Sequence, residues 1–263
     1  MKFLKISVIM AVFNGEKNIA AAIESILNQT YKDFEFIIVD DGSNDRSYEI
    51  SKNYADKDDR IKIIRNNSNT GLTKSLNKAI TQAKGEFIAR QDDDDISLPS
   101  RLELQVNFLE QNPEYSFCGC NGIIKQNGVE LLEYFDYNEI KQNLITKNCF
   151  AHPSIVIRKT MFEKFGNYDE KYLYGQDYEL WCRLIYKLKQ ISINLRDKSI
   201  IMNIPVERLL RVKNRRKFII QKKNHVKTKL KYLRYSENKI KGFFSILREI
   251  FELLLVVIFN RNN

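Results

Sequence analysis

The first hundred residues alternate between short apolar runs of strand composition and segments whose apolar residues recur every three or four positions. No other feature restricts the fold as much, because this alternation describes successive βαβ units with parallel strands covered by helices. Residues 6–12 read as the first strand. In 16–28, Ile19, Ala22, Ile23 and Ile26 share one face, which predicts an amphipathic helix over the sheet. Residues 34–39 form a continuous apolar run, as expected of a strand covered on both faces, and the polar stretch 40–45 ends it. The pattern repeats with a helix around 47–54, a strand at 61–64, a polar loop at 66–71, a helix at 73–83 and a strand at 86–89.

That last strand runs into Gln91 and four consecutive aspartates, Asp92, Asp93, Asp94 and Asp95. Beyond Pro99, Ser100 and Glu103 have capping-box spacing, and Leu102, Val106 and Leu109 supply the apolar face of the next helix. In open α/β sheets ligands collect at the carboxyl ends of the strands, so the loops at Asp40-Asp41 and at Asp92–Asp95 are expected to face one crevice. Adjacent aspartates repel, and a hard divalent cation with oxygen ligands is one way to offset that cost. The Asn/Gly pattern of a calcium loop is absent, and a solvated acidic turn is the alternative.

The rest of the chain is less regular. Residues 115–204 hold strand-like pieces at 116–118 and 154–157, a helix at 178–187 and short β runs near 191–194 and 199–203, read as an α+β half that completes the site. The net charge is +10, from 43 basic and 33 acidic residues, but residues 205–263 hold 16 Lys/Arg against 4 Asp/Glu, which leaves 1–204 at −2. The basicity belongs to the tail, which disfavours a folded nucleic-acid-binding surface. Residues 242–259 are strongly apolar, yet Arg248, Glu249 and Glu252 interrupt them and leave only 253–259 uncharged, short of the ~20 residues a spanning helix needs. Phe243, Phe244, Ile246, Leu247, Ile250 and Phe251 are expected to form an apolar face that lies on a membrane or packs. The four cysteines lack zinc spacing or disulfide density, so reduced thiols are expected, and no secretory leader is legible at the start.

Four blocks in order, SVIMAVFNGEKNIAAAIESILNQTYKDFEFIIVDDGSNDRS at 7–47, NTGLTKSLNKAITQAKGEFIARQDDDDISLPSRLELQ at 69–105, HPSIVIRKTMFEKFGNYDE at 152–170 and GQDYELWCRL at 175–184, resemble glycosyltransferase family 2. The resemblance covers about residues 3–204 and implies an α/β GT-A fold, a Rossmann-like, mostly parallel sheet flanked by helices, here with a basic helical C-terminal extension. It divides the chain into a transferase domain, 1–204, with a nucleotide-sugar-binding half (1–114) and an acceptor-binding half (115–204), and a tail, 205–263. It implies that Asp41 recognises the nucleotide base, with Ala11, Phe13 and Asp40 lining the same pocket; a carboxylate suits an imide N–H. Asp92-Asp93-Asp94 matches the family's Asp-any-Asp motif, with Asp94 as metal ligand and Asp92 or Asp93 near ribose and the waters of Mn²⁺ or Mg²⁺. Asp177 matches the general base of inverting members, although Gln176 stands where a Glu is usual; the alternative is that Asp177 only caps its helix.

Trp181 reads as packing rather than chemistry. His152 approaches phosphate or acceptor or is a satisfied structural histidine, and Lys74 and Arg90 counter the diphosphate or are solvated surface charges. The expected activity is a metal-dependent, inverting transfer of a sugar from a nucleotide sugar, a UDP-hexose or UDP-N-acetylhexosamine, to a hydroxyl of a glycan or lipid-linked oligosaccharide in bacterial surface-polysaccharide synthesis. The expected location is the cytoplasmic face of the inner membrane, with the tail on anionic lipid and no nucleic acid bound. Nucleic-acid binding through the tail, or metal-dependent nucleotidyl transfer, are the competing functions.

Overall fold

The protein, as a computed structural model, is described over residues 4–203 and 215–258. Eight strands form one sheet in the order β3-β2-β1-β4-β7-β6-β8-β5. Its first half is the expected alternation: β1 (Ile6–Val12), α1 (Ile19–Leu27), β2 (Phe34–Asp40), α2 (Ser47–Ala55), β3 (Ile61–Arg65), α3 (Leu72–Gln82) and β4 (Phe87–Arg90). β1 pairs in parallel with both β2 and β4, so the chain winds one way through β2 and β3 and then crosses to the other side of β1. That change of direction opens a crevice at the carboxyl ends of β1 and β4.

β1 and β2 are buried at every position, and their alternate residues feed two cores. Ile9, Ala11, Ile37 and Val39 face Leu76, Ala79 and Ile80 of α3, while Val8, Met10, Phe36 and Ile38 face Ile19, Ile23 and Ile26 of α1. The period of two in the strands and of 3.6 in the helices divides the apolar residues between the sheet's two faces.

After β5 (Ile96–Ser97) and α4 (Arg101–Gln111), the sheet is completed by β6 (Tyr115–Ile124), β7 (Val156–Arg158) and β8 (Ile191–Met202), with α5 (Tyr137–Asn143), α6 (Lys159–Phe165) and α7 (Gln176–Cys182) between them. β7 is antiparallel to β4 and β6, whereas β6 and β8 are parallel. The pieces expected near 191–194 and 199–203 are thus one strand, with register shifts between Cys120 and Gly122 on its partner. The helix expected over 178–187 is also different: α7 starts at Gln176 and widens into a π turn over Arg183–Lys187.

The capping box expected at Ser100 does not form. Ser100 has helical backbone angles (φ −89°, ψ 0°), so its hydroxyl makes no cap, and Glu103 instead accepts a hydrogen bond from Thr30 Oγ1 at 2.7 Å. A complete capping box stands at Asp136 and Glu139, before α5.

The C-terminal segment forms two helices, α8 (Arg215–Tyr232) and α9 (Lys239–Ile258), which pack on each other, and α8 also packs on α7. Tyr232 is fully buried in the α3-side core. On α9, Ser245, Ile246 and Glu249 turn inward, while Ile240, Phe243, Phe244, Leu247, Ile250, Phe251 and Leu254 are exposed. Ile246 therefore belongs to the packed face, not to the apolar face expected of it. No helix among the described residues is long and apolar enough to cross a membrane. Residues 204–214, with Arg208 and Arg211 of the basic tail, lie outside the described part.

Candidate active site

The acidic run leaves β4 at the crevice on a rigid mount. Arg101, fully buried without a carboxylate partner among its hydrogen bonds, donates to Arg90 O (2.7 Å), Ser97 Oγ (2.7 Å) and Gln91 Oε1 (3.1 Å). Gln91 Nε2 donates onward to the carbonyls of Asp92 (3.0 Å) and Asp95 (2.8 Å), so the backbone of the run is pinned from beneath. Arg90 is not the solvated charge considered above: it is 3% exposed and pairs with Asp92. Lys74 is exposed.

Carboxylate oxygens of Asp92, Asp94 and Asp95 lie within 4.8 Å of one another. Asp95, which the Asp-any-Asp motif does not include, is 2% exposed; its Oδ1 accepts from Asn203 N at 2.8 Å while its Oδ2 is buried without a partner. Burial, reinforced by the charges of Asp94 and Asp92, pushes the Asp93 carboxyl up to about 7. Burial likewise raises Asp95 to about 8, with Asp92 and Asp94 adding to it. Three hard oxygen donors, crowded together and one of them unpartnered, fit a hard divalent cation. Asp93 turns toward the loop after β1, where a Cβ on Gly15 would stand 2.2 Å from its Oδ2. A larger residue at 15 would make the Asp93 carboxylate swing away.

Across the crevice, β2 ends in Asp40. Its Oδ2 lies 3.3 Å from Arg65 Nε and accepts a hydrogen bond from Ser43 N, whereas its Oδ1 is buried without a partner. Asp41 is also buried, and both of its oxygens hold the 66–71 loop. Oδ1 accepts from Asn66 Nδ2 (2.8 Å), Thr70 N (2.9 Å) and Thr70 Oγ1 (2.9 Å), and Oδ2 from Gly71 N (2.8 Å). Burial works to raise the Asp41 pKa, but these hydrogen bonds outweigh it and keep the carboxyl below its ordinary range. Ala11 is buried in β1 and Phe13 is exposed just beyond it. Next to Asp40, Gly42, Ser43, Asn44, Arg65, Asn66 and Asn67 line a cleft of about 330 Å³. Gly42 (φ +75°) turns against the Ser68 backbone, which a Cβ would meet at 2.6 Å.

The third part comes from the second half. Gly175, in the left-handed region, starts α7, and no side chain caps the helix, so Asp177 sits in the first turn and not at the cap. Asp177 is half-buried and its Oδ2 accepts from Asn148 Nδ2 at 2.8 Å. Gln176 is buried beside it. His152 Nε2 lies 2.9 Å from Tyr168 Oη, as a satisfied histidine would. Burial, then the Arg90 charge, lower the His152 pKa, while Asp177 and Asp92 pull it up, which places the imidazole within electrostatic reach of both acidic groups. Trp181 is fully buried and stacks on Phe117 at 5.0 Å, as expected of a packing residue. All four cysteines are free and buried.

Two carboxylate-rich loops and a positioned carboxylate around one crevice are what a metal-assisted transfer from an anionic donor needs. Residues 7–166 match Glycosyl transferase family 2, and the chain belongs to that family. It is a glycosyltransferase, and the sheet with its flanking helices is the GT-A fold. The O-antigen biosynthesis glycosyltransferase WbnJ of Escherichia coli is 40% identical over 192 residues, which are 71% of this chain and 74% of WbnJ. The Escherichia coli UDP-Glc:alpha-D-GlcNAc-diphosphoundecaprenol beta-1,3-glucosyltransferase WfgD is 31% identical, over 72% of this chain and 73% of WfgD. The match to an uncharacterized glycosyltransferase of Methanocaldococcus jannaschii, at 41% identity, takes in 68% of this chain and 64% of that protein. The mannosyltransferase PcManGT from Pyrobaculum calidifontis, solved with GDP-Man and Mn²⁺, superposes with a TM-score of 0.71 at 16% identity, over 97% of this chain and 73% of that one.

Proposed function

We propose that the chain transfers a sugar, with inversion, from a UDP-hexose or UDP-N-acetylhexosamine to a hydroxyl of a glycan or lipid-linked oligosaccharide in bacterial surface-polysaccharide synthesis. The observation that carries this reading is the crowding of the Asp92, Asp94 and Asp95 carboxylates at the carboxyl end of β4, with His152 feeling the charges of both Asp92 and Asp177. The names of WbnJ and WfgD support the pathway and the class of donor and acceptor.

The base of the donor lies against Ala11, Phe13, Asp40 and Asp41. Asp41 is the carboxylate for the imide N–H, as the resemblance implies, with its oxygens also fixing the 66–71 wall of the pocket. Asp92 and Asp93 face the ribose side, and Asp94, with Asp92 and Asp95, would hold Mn²⁺ or Mg²⁺. When bound, such a cation offsets charge on the departing nucleoside diphosphate. Asp177 takes the proton of the acceptor hydroxyl as its oxygen attacks the anomeric carbon, and the bond from that carbon to the diphosphate breaks with its electron pair going to UDP. Asn148 aims the carboxylate. His152, whose buried imidazole stays uncharged more readily than usual, feels the charges of both Asp92 and Asp177.

The exposed apolar stripe of α9 and the basic residues of the tail support a peripheral location on the cytoplasmic face of the inner membrane, where Lys and Arg near anionic lipid contribute ~1 kcal/mol each. The test is nucleotide release with UDP-glucose, UDP-galactose and their N-acetylated forms, an acceptor and Mn²⁺ or Mg²⁺. UDP is the expected product, whereas pyrophosphate would mean a nucleotidyltransferase. Asp94→Ala is expected to abolish metal-dependent activity; metal dependence that survives it removes Asp94 from the metal site.

A further inference from the structure

α7 is seven residues long, is uncapped at its start and leads into a π turn, so it has little intrinsic stability with which to aim Asp177. The carboxylate two positions on, Glu179, is 1% exposed and cannot reach substrate in the crevice while it is held from behind. Its Oε1 accepts from Tyr232 Oη at 2.7 Å and from Lys231 Nζ at 2.9 Å, both at the end of α8. Two turns earlier along α8, Asn224 Nδ2 donates to the carbonyl of Tyr174 at 2.8 Å. His225 packs at a tilt against Tyr178 with centroids 5.0 Å apart and closes over Gly175, where a Cβ would stand 3.1 Å from the imidazole. One face of α8 thus grips the loop before α7, its first residue and its second turn.

We infer that α8 is a positioning element of the transfer reaction: Tyr232 and Lys231, acting through Glu179, and Asn224, acting through Tyr174, fix the direction in which Asp177 points. This rests on Asp177 being the base. The extension expected only to locate the enzyme then has a second task. Glu179 is a charge brought into the interior, where a carboxylate needs charge-assisted partners; Arg183 of the π turn lies 3.4 Å from its Oε2, and the two hydrogen bonds to its Oε1 come from α8.

The experiment uses the full chain and the UDP-sugar and acceptor pair that it turns over best, with Glu179→Gln, Tyr232→Phe, Lys231→Met and Lys231→Arg compared after circular dichroism has shown each to be folded. A misplacement of the order of 1 Å costs about 10²-fold, so kcat is expected to fall about 10- to 100-fold in Glu179→Gln and Tyr232→Phe while donor KM stays within about twofold. Lys231→Arg should retain more of kcat than Lys231→Met. In hydrogen exchange without substrate, amides of α7 should exchange faster in Tyr232→Phe while those of β1 and β4 do not. The inference is overturned if the folded variants keep the kcat of the intact chain, if kcat and donor KM deteriorate together, or if α7 exchange is unchanged. Failure of the base assignment is distinguishable: Asp177→Asn would then stay active, whereas an inactive Asp177→Asn beside a fully active Tyr232→Phe removes only the role of α8.

Discussion

Two of the places where the protein buries acidic groups treat them in opposite ways. In the C-terminal hairpin, Glu249 meets Lys229 Nζ at 2.7 Å, and that ammonium spends its remaining donors on Thr146 O and Ser245 Oγ, both at 2.8 Å. Burial lowers the Lys229 pKa, and the hydrogen bond it donates to Glu249 opposes the shift. In the loop after β4, by contrast, burial raises Asp93 and Asp95 and the neighbouring aspartates add to the shift, while the buried guanidinium of Arg101 beneath them donates to backbone and neutral oxygens. A group closed in charge is architecture, even with Glu249 Oε2 left without a hydrogen-bond partner. A group left short of positive charge stores a repulsion that a ligand can relieve, and the difference separates scaffold from site without reference to any relative.

The contrast can be broken by variants on either side. Asp177→Asn, which removes the proposed base, is expected to lower kcat by about 10²- to 10⁴-fold with little change in melting temperature; full activity would remove the assignment. Lys229→Met leaves Glu249 buried without its main partner and should lower the unfolding free energy by about 3–5 kcal/mol in denaturant titration, with much of it recovered when Glu249→Leu is added. If Lys229→Met is neutral, the hairpin is not the closed group described above.

At the acidic loop the sign runs the other way. Asp93 and Asp95 have folded-state pKa values above their unfolded ones, so the folded chain holds more protons between about pH 4 and about pH 8 and loses stability as pH rises through that window. A cation requires the same groups ionised, so Mn²⁺ should raise the melting temperature more at about pH 8 than at about pH 6, and Asp95→Asn should reduce the difference. Equal increments at both values would mean that the cluster does not take the metal. The smallest effect is expected at the surface: Phe244→Asp with Phe251→Asp should weaken sedimentation with anionic vesicles and leave nucleotide release on a soluble acceptor unchanged. Partition equal to that of the intact chain ends the membrane reading of α9.

What the sequence disclosed follows from periodicity. β1 to β4 and their helices are legible because each residue set has a single face to fill, and the acidic loops are legible because strand ends dictate where they emerge. The pairing of β6 with β8 is not, since register shifts around Cys120–Gly122 and the exposed Arg196-Asp197-Lys198 interrupt the alternation that marks a strand. Asp95 escaped the motif because its role comes from burial beside Asn203, 108 residues away. Arg90 and Arg101 look like surface charges in one dimension, and only the packing of α4 under the loop shows otherwise. Ile246 was misplaced because a helix apolar on two sides does not reveal which side packs.

The strands of the first half do not end level. Val12 is paired with Asp40, and Asp40 with Arg65, so β1, β2 and β3 finish in one row, but β4 leaves the sheet at Arg90, opposite Ile9. At about 3.3 Å per residue, the acidic run therefore begins ~10 Å below the loops that follow β1 and β2. The sheet edge is a staircase, and its tread heights come only in whole residues. Lengthening β4 by one residue would raise the aspartates by one step and turn each to the opposite face, so the spacing between the two ends of the donor can change only in jumps. Loop composition can drift gradually among such enzymes; this measure cannot.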